Sequence, residues 1–198
     1  IPGAHEMVIS PDHTLGYVAQ FGKWGRNAEG IGALLEPAYL IWVIDLNTHS
    51  VIDRIDTHPH MGPHGMKFDL DGNLWVTFES NALGLVDTQQ RKLVQAWSLG
   101  EPAQPPRTLE ISDDGKKLYC TGKGDDIIVF DCERKQIKSR IPLAGGATSL
   151  TAAPDGHRLI SFDKAKQDLL IVDMNEDRLI ERHSFKGSVL SSPKASRF

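Results

Sequence analysis

The chain has 198 residues, of which 40% are hydrophobic and 18 are glycine, so it is long enough to bury a core of its own. Its formal net charge is −4, with both signs interspersed, and this composition argues against nucleic acid as a partner. No apolar run approaches the length of a membrane span, and the start at Ile1 has neither an initiator Met nor a signal-like segment. We therefore expect a processed or cut end, and the compartment stays open.

Four copies of one pattern follow each other along the sequence. Each copy has a polar turn with Asp, an apolar strand, a loop, and a second apolar strand that closes on Asp. The first Asp is Asp12, Asp71, Asp114 and Asp155, and the second is Asp45, Asp87, Asp131 and Asp173. The second set recurs about every 42 residues, a period typical of propeller blades.

Each copy contains four short runs rich in Val, Ile, Leu, Tyr and Phe. In the third copy these runs are 107–111, 117–121, 127–131 and 136–141. Asp-Gly or polar clusters separate them and favour tight antiparallel hairpins. The sequence therefore predicts an all-β protein, a β-propeller of four-stranded antiparallel blades with strands A to D running outward from the axis.

The predicted blades span about 4–58, 63–100, 106–143 and 147–185, and 187–193 is the first strand of a fifth blade. Blade one already supplies four strands of its own, so the fifth-blade strand has no vacancy to fill. We therefore expect residues 1–198 to be a single domain that is part of a longer propeller. Its open blade edges would then favour self-association.

The segments LGYVAQFG (15–22), LWVTFESN (74–81) and LYCTGKGDDIIVFD (118–131) resemble the YVTN family of propeller repeats. That family resembles the lactonase-like propellers, in which Pro-His-Gly often stands where this chain has Pro63-His64-Gly65. The resemblance implies a propeller, usually of seven blades. It does not select a function, because binding proteins, lactonases and lyases share these repeats.

One position in the repeat, seven residues before each turn Asp, carries the candidate functional residues His5, His64, Arg107 and Thr148. This position begins strand A, so we expect a ring of side chains around the channel mouth. Strict alternation would direct the next residue, such as Glu6 or Gly65, to the other face. In a catalytic propeller, His5 or His64 would act as base and Arg107 would stabilise an anion, in lactone hydrolysis or a related elimination.

A divalent metal is the possible cofactor. His58 and His60 precede His64 in THPHMGPHG, and imidazoles suit Zn, Cu, Ni or Fe. The other interpretation is a solvated Pro-Gly turn. Calcium would need several oxygen ligands, and only Glu79 and Asn81 in one B–C loop resemble them.

Further candidate ligand contacts lie on the B–C loops. Glu79 and Asn81 belong to blade two and Lys123 to blade three. Blade one has about 16 extra residues between Phe21 and Tyr39, where 28–36 is predicted as a short helix ended by Pro37.

This insertion is interpreted as a lid over the channel that carries Trp24, Arg26 and Leu34, with Trp24 stacking on a ligand and Arg26 contacting an anion. A decoration packed on a neighbouring blade and an edge for another subunit are the alternatives.

Cys120 and Cys132 fall at opposite ends of one hairpin, so we expect buried core thiols and no disulfide, which is consistent with a reducing compartment. Three functions stay open: a small-molecule-binding or catalytic propeller, a noncatalytic scaffold for a protein partner, and a His-based metal-binding propeller.

Overall fold

The computed structural model describes residues 1–100, 105–122, 124–143, 145–147, 149–163 and 165–185. These residues form sixteen β-strands in four antiparallel sheets of four strands each. No helix is found in the described ranges, and so none that could cross a membrane. The architecture confirms the prediction of four-stranded blades, and the strand expected at 187–193 lies outside the described residues.

Residues Ile1–Gly100 and Glu101–Phe198 form two compact units of two blades each. The strands of blade one are β1 Ala4–Ile9, β2 Leu15–Arg26, β3 Gly32–Asp45 and β4 Ser50–Asp56. The strands of blade two are β5 Pro63–Phe68, β6 Leu74–Phe78, β7 Ala82–Asp87 and β8 Lys92–Ser98.

The second unit repeats this plan. The strands of blade three are β9 Pro106–Ile111, β10 Lys117–Gly122, β11 Asp126–Asp131 and β12 Gln136–Pro142. The strands of blade four are β13 Leu150–Ala152, β14 Arg158–Asp163, β15 Asp168–Asp173 and β16 Arg178–Ser184.

Each unit has its own apolar core between its two blades. In the first unit, Tyr17, Ile41 and Val43 of blade one pack with Met66 and Val76 of blade two. The core of the second unit includes Tyr119, Val129, Leu150, Leu159 and Val172. Cys120 and Cys132 are both free and buried, and burial raises the pKa of the Cys120 thiol, which makes it unreactive.

The second Asp of every repeat shapes the turn between strands C and D. Asp45 accepts hydrogen bonds of 2.8 Å from the N–H groups of Asn47 and Thr48, and the equivalent Asp residues do the same at 2.8–3.0 Å. Four residues after this Asp, each turn has one residue at positive φ, namely His49, Arg91, Lys135 and Asp177. Because Asp can bond to the backbone two and three residues ahead, it recurs here for structural reasons.

In blades two and four, the charged side chain at this positive-φ position forms ion pairs with the preceding blade. Asp177 of blade four receives Lys117 at 2.8 Å, Lys138 at 2.6 Å and the Tyr119 hydroxyl at 2.8 Å, all from blade three. In the first unit, Arg91 of blade two donates to Asp53 of blade one at 2.9 Å.

The first Asp marker has a different hydrogen-bonding role in blade two. There the turn acceptor is Asp69, which receives the N–H groups of Asp71 and Asn73 and the indole N–H of Trp75. Asp71, the residue picked from the sequence pattern, is one of the residues that donate to it.

The helix predicted for 28–36 is wrong. Strands β2 and β3 run on past the sheet as a long hairpin, with Trp24 opposite Leu34 and Arg26 opposite Gly32. Asn27 closes the tip by accepting the N–H of Ile31 at 2.9 Å through its side chain. Pairing two strands satisfies their backbone groups without a helix, and Pro37, which has no N–H, stands beside a register irregularity at Gly22.

Candidate functional site

The three described ring candidates occupy one register position. His5, His64 and Arg107 are each the second residue of strand A in their blades, on β1, β5 and β9. The structure brings His5 and His64 together, with ring centroids 3.9 Å apart and ring planes inclined by 46°. Arg107 belongs to the second unit, and Thr148 lies outside the described residues.

A β-bulge changes which side chains meet at this position. Ala4 pairs with Gln20 and Met7 with Val18, so His5 and Glu6 together oppose a single residue of β2. Two residues that oppose one break the strand's alternation and can direct both side chains to the same side. The expectation that Glu6 points to the opposite face is therefore wrong, and its Oε2 lies 3.9 Å from Nδ1 of His64.

Blade two has the same irregularity. Pro63 pairs with Phe78 and Met66 with Val76, which leaves His64 and Gly65 opposite Thr77. The Thr77 hydroxyl accepts the N–H of Gly65 at 2.9 Å and lies 3.3 Å from the Gly65 carbonyl. Thr77 is fully buried, so this hydroxyl is fixed where it holds the backbone next to His64.

The bulges assemble a compact polar group. One ligand atom from each of His5, Glu6 and His64 lies within 4.8 Å of the others. We name these three residues the His-Glu-His cluster. His64 is buried, Glu6 is half-buried and His5 is exposed, so the cluster is anchored in the protein at one end and open to solvent at the other.

An aromatic ring forms one wall of the cluster. The Phe21 ring meets His64 edge-on, with centroids 5.3 Å apart and planes at 85°, and its centroid lies 5.4 Å from that of His5. Phe21 is itself fixed, because its N–H donates to the carbonyl of Gly3 at 2.9 Å. This packing restrains the imidazole of His64 and shields one side of it from water.

The long hairpin adds a groove beside this wall. Trp24 lies 6.1 Å from Phe21 between ring centroids and is 45% exposed. Lys23 and Glu36 pair across the two strands at 2.7 Å. The groove has a volume of about 540 Å³ and is lined by Pro2, Gly3, Gln20, Lys23, Trp24 and Pro37, among others.

The other predicted ligand contacts have structural partners. Arg26 donates to the carbonyl of Gly30 at 2.7 Å, within the hairpin tip. Asn81 has a φ of 55° and donates its side-chain amide to the carbonyl of Gly100 at 2.7 Å. Glu79 stands close to Gly62, to whose carbonyl its N–H donates at 3.1 Å. Lys123 lies outside the described residues.

His58 and His60 do not join the cluster. His58 stacks on Tyr39, with centroids 3.9 Å apart, and its Nδ1 lies 2.6 Å from Asp56. His60 packs against Phe78, its Nδ1 lies 3.4 Å from the Ser80 hydroxyl, and burial lowers its pKa. The predicted metal set of His58, His60 and His64 shares only His64 with the cluster that the structure assembles. Period-two reasoning could not find Glu6, because the bulge leaves no mark in the hydrophobic pattern.

No protein-family model matches the sequence, and no curated protein matches it. Among solved structures the chain is similar to Kuenenia stuttgartiensis hydrazine synthase, with a TM-score of 0.77 at 21% sequence identity. The match covers 93% of this chain and 50% of that chain, so this chain spans about half the length of its structural neighbour. At this identity the likeness supports the propeller fold alone. The resemblance to YVTN and lactonase-like repeats stays an expectation.

Proposed function

We propose that this propeller binds a small, oxygen-rich molecule at the His-Glu-His cluster, and that lactones are its ligand class. One observation carries the proposal: the ring of buried His64 lies 3.9 Å, between centroids, from the ring of exposed His5, beside the carboxylate of Glu6. A position that only closed the fold would be satisfied by a small or apolar residue. Here polar groups are drawn together by two bulges and left open on one side.

The chemistry of the cluster selects the kind of ligand. Neutral imidazoles both donate and accept hydrogen bonds, and a carboxylate accepts them from hydroxyl groups. The Glu6 carboxylate lies 3.9 Å from Nδ1 of His64 and would repel an anion bound there. A neutral hydroxylated molecule therefore fits the cluster better than an acid. A hydroxylated lactone has these properties, and the partly exposed Trp24 ring, 6.1 Å from that of Phe21, offers an apolar surface for its carbon face.

The reaction class follows from the ligand class. In lactone hydrolysis, water attacks the carbonyl carbon, the ring C–O bond breaks, and the alkoxide takes up a proton to give a hydroxy acid. His5 or His64 is proposed as the proton acceptor, the role that the sequence suggests for them.

Histidine side-chain NMR tests the binding. Protein labelled with ¹⁵N in its histidines is titrated with a hydroxylated γ-lactone up to about 10 mM, ten times a weak Kd of about 1 mM. We expect the ring resonances of His5 and His64 to shift to saturation and the His5→Ala variant to lose the effect. His183→Ala, a change at another exposed histidine, is the matched control. Resonances that do not shift, or that shift equally for all histidines, would refute the proposal.

A second candidate function is contact with a protein partner through the hairpin. Trp24, Ile31 and Leu35 are 45%, 64% and 44% exposed, which is unusual for three large apolar side chains in one short segment. If the partner is a second copy of this chain, the molar mass measured by light scattering should rise with protein concentration. The Ile31→Glu variant should have a lower molar mass at the same concentration. A wild-type chain that is monomeric at every concentration would rule out self-association through the hairpin.

A further inference from the structure

We infer that the His-Glu-His cluster is a binding site for a divalent transition-metal ion of the zinc class. The inference rests on the proposed function for the location of the site and adds a cofactor to it. It differs from the metal site expected from the sequence, because His5 and Glu6 replace His58 and His60 as the partners of His64.

The donor set selects the metal. Two imidazole nitrogens and one carboxylate oxygen suit Zn²⁺ and its first-row neighbours. Calcium and magnesium prefer shells made of oxygen, and this cluster offers one carboxylate. His5, Glu6 and His64 therefore favour a borderline ion over a hard one.

The geometry is close to that of a bound ion. Metal–ligand distances of about 2.1 Å in a tetrahedral site place neighbouring ligand atoms about 3.4 Å apart. Glu6 Oε2 and His64 Nδ1 are 3.9 Å apart, and all three ligand atoms lie within 4.8 Å of one another. A modest inward movement of exposed His5 and half-buried Glu6 closes the site on buried His64.

The surroundings provide the support that a metal ligand needs. Phe21 holds the ring of His64 edge-on, and the Thr77–Gly65 hydrogen bond fixes the backbone beside it. Neighbours that orient the first ligands strongly affect metal affinity. The apolar wall also lowers the local dielectric constant, which strengthens the attraction between Glu6 and a cation.

Three protein ligands leave one coordination position open, as in catalytic zinc sites. His5 is the exposed member, so this position faces solvent and can take water or a carbonyl oxygen. A metal-bound water that has lost a proton to solvent can attack a lactone carbonyl, with the same bonds formed and broken as described above. His5 and His64 then act as ligands in place of the proton acceptor, and no oxidation or reduction is involved.

Cobalt titration tests the inference. Protein stripped with a chelator is titrated with Co²⁺ and followed by visible absorption, and Zn²⁺ is measured by competition. We expect one ion per chain with micromolar or tighter affinity, about hundredfold weaker binding in His5→Ala, and at least about tenfold weaker binding in Glu6→Gln. His58→Ala and His60→Ala are the matched controls and should bind as the wild type does.

His5 is exposed, so its removal should leave folding intact, and His64→Gln with a far-UV circular dichroism check is the second variant. Wild-type protein that binds no Co²⁺ at 100 times a Kd of about 1 μM, or losses confined to the His58 and His60 variants, would overturn the inference.

The two proposals can fail separately. If the lactone still shifts the histidine resonances in stripped protein that binds no Co²⁺, the metal inference fails and the proposed function stands. If Co²⁺ binds through His5 and the lactone has no effect with or without the ion, the proposed function fails and the metal site stands.

Discussion

The hydroxyl of Thr77 should hold the bulge that presents His64, and Thr77→Val tests this. Valine has nearly the same shape but removes the acceptor of the 2.9 Å bond from the N–H of Gly65, which is buried. A buried donor left without its partner costs about 1–3 kcal/mol. Thr77→Ser keeps the oxygen and loses one methyl group, at a cost of about 1 kcal/mol. The valine variant should therefore be the less stable of the two.

Urea unfolding followed by tryptophan fluorescence measures the difference. All four tryptophans, at 24, 42, 75 and 97, lie in the first unit, and Trp75 in the strand next to β5 is 1% exposed. With a slope of about 1.5 kcal/mol per M, a loss of about 2 kcal/mol lowers the midpoint by more than 1 M.

The same variants separate a positioning role from simple packing. Thr77→Val should weaken Co²⁺ binding at the His-Glu-His cluster, because the backbone that carries His64 loses its restraint, while Thr77→Ser should bind as the wild type does. If the two variants are equally stable and bind Co²⁺ equally, the hydroxyl does not hold the bulge and this reasoning is wrong.

Three further predictions test the structure. Asp177→Asn should lower the stability of the second unit by about 2–4 kcal/mol, since the carboxylate is 8% exposed and receives three donors. Arg91→Gln removes a more exposed ion pair and should lower the stability of the first unit far less. Amide hydrogen exchange in each unit measures both effects. Burial lowers the pKa of His60 below its ordinary 6.5, so the unfolded chain binds the proton first and the first unit should lose stability as the pH falls through and below 6.5. His60→Gln should flatten that part of the stability profile, and an unchanged profile would contradict it. Gly62→Ala should destabilise strongly, because φ is +62° and a Cβ there would lie 2.9 Å from the Cβ of Glu79, and a melting temperature equal to that of the wild type would refute this.

The blade architecture could be predicted because it depends on local sequence patterns. Strands repeat with a fixed period, and the second Asp of each repeat recurs because the turn needs an acceptor for the N–H groups two and three residues after it. Asp71 keeps the register of the first marker, seven residues after His64, although the hydrogen-bond acceptor of that turn is Asp69. The long hairpin was taken for a loop with a helix because Ala, Glu and Leu favour helices locally, and partner strands outweigh that preference.

The candidate site could be predicted only in part. His5 and His64 were found because they share a repeat position, and the first strands of these two blades lie side by side. Glu6 was missed because an extra residue in β1 reverses the alternation from that point, and a bulge depends on the partner strand. The stacking of His58 on Tyr39 was likewise invisible, since this contact joins two segments that have no common motif.

The C–D turns show how repeats that share one turn geometry can still be distinguished from one another. The same positive-φ position carries Arg91 in blade two and Asp177 in blade four, and in each case the preceding blade presents the opposite charge. Exchanging the two turns would place an arginine against two lysines and an aspartate against Asp53. Like charges at such distances oppose packing, and the penalty is larger for the buried cluster than for the exposed pair. The geometry of the turn is therefore common to all blades, while the charge at one residue of it matches a blade to its own neighbour.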